Sequence, residues 1–182
     1  MIDRDIFYSH IRADPFGGRL SQQQVDGCSS ILDAWESRPD FTDLRWLAYM
    51  LATAKWETAH TMQPIEEYGH GAGKPYGQPD PVTGQTYYGR GYVQLTWKAN
   101  YQKMGDLLGI DLVNDPALAL DPDVASEVLF KGMEGGLFTG VGLPRYFNTT
   151  TDDPVDARRI INGTDHANDI AEIHREFLAA LS

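Results

Sequence analysis

The sequence predicts a mainly helical domain with at most a small β-hairpin, and three observations carry that expectation. Apolar residues recur at helical spacing in several stretches, each opened by a capping residue or a proline. One stretch without periodicity, residues 69–86 (GHGAGKPYGQPDPVTGQT), is rich in Gly and Pro and reads as a long functional loop. The chain of 182 residues is 42% hydrophobic, enough for one core, so residues 1–182 are expected to form a single domain.

Ser21 and Gln24 have the form of a capping box, and Val25, Cys28, Ile31, Leu32 and Trp35 then follow helical spacing. A first helix is therefore expected over 22–37, with Pro39 just beyond it. Thr42 is the expected cap of a second helix over 43–60. Leu44, Leu47, Ala48, Leu51 and Ala54 fall on one face of it and Trp46, Tyr49, Met50 and Thr53 on the others, as in a buried helix. A small hairpin is expected near 85–95. Thr96 is the expected cap of a third helix, with Trp97, Tyr101, Met104 and Leu108 on one stripe and Gly109 as its stop. Pro122 in DPDVASEVLF and Pro154 in DDPVDARRI stand where prolines open helices. The glycines at 132, 135 and 136 predict either fraying or close packing before Leu137 and Phe138. A last helix over 167–181 turns Ile170, Ile173, Phe177, Leu178 and Leu181 inward, which brings the total to about six.

The net charge of -11, from 15 basic and 26 acidic residues, argues against nucleic acid as a partner, because phosphate binding needs clustered Lys and Arg. The single Cys28 has no partner for an internal disulfide and falls on an apolar helical face, the setting of a buried structural thiol. No segment approaches the roughly 18 apolar residues of a membrane span, so no membrane insertion is expected. The first residues, MIDRDIFYSH, lack the apolar stretch of a secretory signal, so synthesis in the cytoplasm is expected. The chain is expected to act as a monomer.

Two segments carry the chemistry. Glu57 ends the second predicted helix, which has little other polar surface, and burial favours the protonated form of a carboxyl, as a general acid requires. Nine residues later, beyond Pro64, come Glu66 and Glu67, off the helix axis and able to turn back across a cleft. Two carboxyls in unlike surroundings, one dry and one wet, are what glycoside hydrolysis by acid and base needs. The alternative makes Glu57 a buried partner of Arg90 and leaves Glu66 and Glu67 as solvated charges. YYGRGYVQLTWKANY, residues 87–101, supplies aromatic faces at Tyr87, Tyr88, Tyr92 and Trp97, with Gln94, Thr96 and Asn100 as neutral hydrogen-bonding groups. Each aromatic has core packing as its competing role, and Thr96 has helix capping. Glu57 and His60 have a metal-site spacing without a second such pair, GRGYVQ lacks the signature of a phosphate loop, and no nucleophile motif is present.

YYGRGYVQLTWKANY resembles the signature segment of family 19 glycoside hydrolases, the chitinase-like group that includes many phage endolysins. WETAH resembles the segment that carries that family's catalytic acid. DPALALDPDVASEVLF and RRIINGTDHANDIAEIH resemble its later helices, so the likeness covers about residues 40–180. The resemblance implies a two-lobed, lysozyme-like helical fold with a cleft between the lobes, no cofactor or metal, and an inverting mechanism. Glu57 would be the general acid, Glu66 the general base, and Thr96 would help position the attacking water. Gln94, Asn100 and Asn162, with Tyr88, Arg90 and Trp97, would line the substrate site. An inverting pair should stand roughly 6.5–9.5 Å apart to admit water. The chain departs from the family at Trp56, where plant members commonly have histidine, and at Ile170, where an arginine often follows the position of Asp169. The link from acid to base is also much shorter than in plant chitinases, which implies a more open cleft.

The leading expectation is an endolysin that cuts between N-acetylmuramic acid and N-acetylglucosamine in peptidoglycan and reaches the wall after release by a separate protein. The rival substrate is a chitin-like polymer of N-acetylglucosamine. A rival of another class is a glycan-binding protein without hydrolysis, which would have no need of both Glu57 and Glu66.

Overall fold

The computed structural model describes residues 2–182. They fold as α1 (Arg4–Ala13), α2 (Gln22–Glu36), α3 (Leu44–Glu57), β1 (Ile65–Glu66), β2 (Arg90–Gly91), α4 (Lys98–Leu108), α5 (Pro122–Glu134), α6 (Leu143–Tyr146) and α7 (Ala167–Leu181). Three short 3₁₀ turns lie at Pro75–Gly77, Pro116–Leu120 and Asp156–Ile160. The mainly α class is therefore as predicted, with one antiparallel two-stranded sheet.

α3 is the buried axis of the molecule. Every residue from Leu47 to Lys55 is buried, which is why its sequence is apolar nearly all round. α7 lies along it, α1 packs on α7, and α2 packs on α5. Phe7 of α1 stacks on Phe177 of α7 with ring centroids 6.3 Å apart. The capping box at Ser21 and Gln24 is present, and Cys28 is fully buried among α2's apolar residues, where burial pushes its thiol up, away from the reactive thiolate.

Several boundaries differ from the sequence-based expectation, each for a local reason. Asp43 rather than Thr42 caps α3, since its carboxylate accepts from the Arg45 amide and also binds the Arg45 guanidinium. The helix stops at Glu57 rather than 60 because Thr58 closes it: the Thr58 hydroxyl donates to the Ala54 carbonyl (2.7 Å) and accepts from the Met62 amide (3.0 Å). α1 has only two buried residues, Phe7 and Ile11, too few for a legible stripe, but Asp3 caps it through the amides of Asp5 and Ile6. DDPVDARRI forms a 3₁₀ turn and not an α-helix. Thr96 is not a helix cap; its hydroxyl donates to the Gln94 carbonyl at 2.7 Å, and Trp97 takes the cap position without a side-chain bond. The segment 85–95 does not pair mainly with itself: β2 pairs with β1, and only Arg90 and Leu95 bridge within it. Gly132 resolves as close packing, since the Phe138 ring occupies the space where a side chain would stand, while α5 runs on to Glu134.

His174 of α7 is buried at 1% exposure between Phe147 (5.3 Å, stacked) and Tyr49 (5.7 Å), and its Nδ1 has no partner among the described residues. Burial, with Arg175 nearby, holds its pKa down at about 4. The unfolded chain takes up this proton as pH falls below about 6.5 while the folded chain does not, so stability falls between about pH 6.5 and 4. The loss should be on the order of 3 kcal/mol. Urea unfolding at pH 7.5 and 4.5 should show a smaller acid destabilisation in His174→Leu than in wild type; equal losses would remove His174 from the account.

Candidate active site

The sheet, short as it is, fixes the carboxylates. In the antiparallel register Glu66 stands opposite Arg90, so both side chains leave the same face, and Glu67 leaves the other. Glu66 Oε1 accepts a hydrogen bond from the Tyr88 hydroxyl (2.6 Å) and faces Arg90 Nε at 3.6 Å. Burial and that hydrogen bond push the Tyr88 phenol up, so it stays a donor. Glu67 is engaged at both oxygens, Oε1 by the Tyr76 hydroxyl (3.1 Å) and Oε2 by the Gly89 amide (3.1 Å). Of the two, only Glu66 keeps an oxygen, Oε2, without a hydrogen bond.

Arg90 is 5% exposed and does not offer itself to a ligand. Its guanidinium lies 3.7 Å over the Tyr88 ring and donates to the Thr86 carbonyl and the Tyr101 hydroxyl, both at 3.0 Å. Tyr101, its phenol pushed up to about 12 mainly by burial, donates in turn to the Tyr88 carbonyl. The flanking glycines make this possible. Gly91 has a φ of 87°, and a side chain there would meet the Ala119 carbonyl oxygen at 2.9 Å. The Gly-Arg-Gly segment thus folds a buried cation beneath Glu66.

Glu57 is held from another part of the chain. Its Oε1 accepts from Arg158 Nη1 at 2.6 Å, and Arg158 Nε donates to the Asp165 carbonyl at 3.1 Å. Burial alone was the sequence's account of this carboxyl; the structure adds an ion pair, and its partner is Arg158 rather than Arg90. Ile170 is fully buried in the core, and the guanidinium that meets Glu57 comes from the Asp156–Ile160 turn. Arg158 was not singled out from the sequence, where it is one of two adjacent arginines in RRIINGT; its burial (5% exposed) distinguishes it from the exposed Arg159. The side chains of Glu57 and Glu66 differ in exposure, 17% against 40%, and so form one drier and one wetter group.

The remaining candidates divide. Gln94 spends its amide donors on the carbonyls of Ile65 (3.0 Å) and Gly91 (3.1 Å), which ties the hairpin together. Asn100 donates to the Thr96 carbonyl, and Asn162 is exposed beyond the Arg158 turn. Tyr87 and Tyr92 are core residues and offer no face to a sugar. Trp97 is 49% exposed, edge-on to Tyr76 at 5.1 Å, beside a shallow cavity of about 270 Å³ bounded by Tyr76, Asp80 and Lys98. Larger cavities of about 620 and 640 Å³ lie beside Trp35 and Phe41 and between α2, α4 and α5, and neither is lined by Glu57 or Glu66. Cavity size therefore does not mark this site; the carboxylates and their arginines do.

Replacing Arg158 by lysine should keep the charge but lose the Nε bond to Asp165 and the fixed fork that aims Nη1 at Glu57. The expected cost is about 1–2 kcal/mol of stability. On the expectation that Glu57 is the general acid, turnover should fall about ten- to a hundredfold, as misplacing a catalytic group costs. Full activity with unchanged thermal unfolding would show that Arg158 merely fills space.

Residues 63–132, which include Glu66 and the Gly-Arg-Gly segment, match the family model described as chitinase class I, glycoside hydrolase family 19. An endochitinase of Arabidopsis thaliana is 33% identical over 127 residues, 60% of this chain and 47% of that protein. The alignments with the first curated relatives span less than half of those relatives' own length. Chitinase C of Streptomyces griseus superposes with a TM-score of 0.65 over 99% of this chain and 76% of its own, at 23% identity, which shows a shared fold. A bacterial family 19 chitinase superposes with a TM-score of 0.60 at 25% identity, over 100% of this chain and 95% of its own. The signature segment is thus similar in sequence to the family 19 glycoside hydrolases, and the whole chain shares the fold of the chitinases it superposes on.

Proposed function

We propose that the chain hydrolyses the β-1,4 bond between N-acetylmuramic acid and N-acetylglucosamine in peptidoglycan, with inversion. The observation that carries the chemistry is that Glu57 and Glu66 are each anchored through Oε1, by different arginines from different segments, with Oε2 of each left without a hydrogen bond. In this reading Glu57 Oε2 gives its proton to the glycosidic oxygen as the bond to the anomeric carbon breaks. Water attacks that carbon from the opposite face and passes its proton to Glu66 Oε2, with Thr96 helping to position it. One water is consumed, and exchange with solvent restores both carboxyls. Gln94, Asn100, Asn162 and Trp97 belong to the substrate groove, while Tyr88, buried with its hydroxyl on Glu66 and its ring covered by Arg90 and His70, acts with Arg90 on the groove through Glu66 and offers no face to a sugar.

Peptidoglycan is favoured by the short, nine-residue step from Glu57 to Glu66, which implies a more open cleft with room for the lactyl and peptide substituents of a wall glycan. On this reading the protein is made in the cytoplasm, acts as a monomer and meets the wall after release by a separate protein. A second reading, hydrolysis of chitin, is favoured by the names of its relatives, which are endochitinases and chitinases. The test is parallel digestion of outer-membrane-stripped Gram-negative peptidoglycan and soluble chitin oligomers, with products identified by mass spectrometry. Muropeptides cleaved between muramic acid and glucosamine, with little chitin turnover, are the expected result; chitin cleavage with an untouched wall would replace it by the second reading.

A further inference from the structure

Glu66 lies between two basic groups of different kinds. Arg90, charged at every working pH, faces Oε1, while His70 Nε2 lies 3.6 Å from Oε2. That separation is too long for a hydrogen bond, and a small rotation of an exposed ring would close it. His70 is held close by three constraints: its amide donates to the Glu67 carbonyl at 3.0 Å, its backbone is left-handed with a φ of 51°, and its ring stacks on Tyr88 at 4.9 Å and 15°. The opposite face of Tyr88 carries Arg90.

We propose that His70 is a positioning residue that gates Glu66. The neutral imidazole leaves Oε2 open to take a proton from the attacking water; the imidazolium, protonated by solvent, turns onto Oε2 and occupies the lone pair that the reaction needs. The groups facing His70 are Glu66 from β1, Tyr88 with Arg90 behind it, and Glu67 through the turn. Glu67 does not compete, because Tyr76 and the Gly89 amide engage its oxygens. The inference rests on Glu66 being the base, and it adds to that reading an acid limit set by a histidine.

The test is the pH dependence of kcat from pH 4.5 to 8.5 for wild type, His70→Gln, which does not titrate, and His70→Phe, which keeps a flat ring against Tyr88. Each profile is normalised to that protein's own value at pH 8. Wild type should lose activity as the pH falls. Both variants should retain about five- to tenfold more of their activity at pH 5, as expected when a competing charge-assisted bond is removed. An acid limb that stays in place in both variants overturns the proposal. Independently of turnover, ¹⁵N NMR of the His70 ring should give different pH titration curves in wild type and Glu66→Gln; superimposable curves also overturn it. Should Glu66→Gln hydrolyse normally, the base assignment fails on its own, while the NMR comparison still decides whether the two side chains are coupled.

Discussion

Glu57→Gln should abolish hydrolysis, with a loss of about 10³-fold or more, while leaving glycan binding and the fold nearly intact. Glutamine has the same shape and keeps an oxygen where Arg158 Nη1 donates at 2.6 Å, so the buried guanidinium is still partnered. What it lacks is an ionisable proton for the leaving oxygen. Alanine is the poorer experiment. It would strand Arg158, 5% exposed, without a carboxylate, and removing one side of a buried pair costs about 3–5 kcal/mol. Lost activity would then be confounded with lost structure. The decisive comparison is single-turnover hydrolysis beside oligosaccharide affinity and thermal unfolding of Glu57→Gln. Hydrolysis within tenfold of wild type would remove Glu57 from the acid role, and lost affinity at intact stability would make it a binding group instead.

Helices α2, α3 and α4 were legible because their signals are local, whereas α1, with two buried residues, was not. Ser21 and Gln24 announce α2, Gly109 with a φ of 70° ends α4 as expected, and the all-round apolar character of α3 reports its burial. The failures are where a local signal had competition. Pro154 has the form of a helix start, but the segment makes only one 3₁₀ turn. Thr96 has the form of a cap, but its hydroxyl bonds the Gln94 carbonyl inside the hairpin instead. The carboxylates Glu57 and Glu66 were visible in the sequence, and their arginines were assigned wrongly or not at all. Partner choice depends on contacts 101 residues apart, between Glu57 and Arg158, which no spacing rule reaches. His70 was missed for a related reason: it belongs to an aperiodic loop, and only the stack on Tyr88 brings it to Glu66.

The adjacent acids Glu66 and Glu67 give the sharpest contrast, because substitution of each by glutamine changes the same atoms one residue apart. Glu66→Gln should lose activity by about 10²–10⁴-fold, since an amide takes up no proton from water. Folding should be nearly unaffected, as the side chain is 40% exposed and its amide oxygen still accepts from Tyr88. Glu67→Gln removes a charge from a group whose oxygens accept from Tyr76 and the Gly89 amide. Its amide oxygen can keep one of those bonds, and loss of the other should cost about 1 kcal/mol in stability and only a few-fold in rate, through a looser loop. The alternation of the strand is what separates the two outcomes: Glu66 shares its face with Arg90, and Glu67 points the other way into the loop. Azide or formate, small anions able to replace a missing base, should restore turnover to a Glu66→Gly variant and give no benefit to Glu67→Gly. Rescue of Glu67→Gly alone would move the base by one residue and overturn the assignment made from the hairpin register.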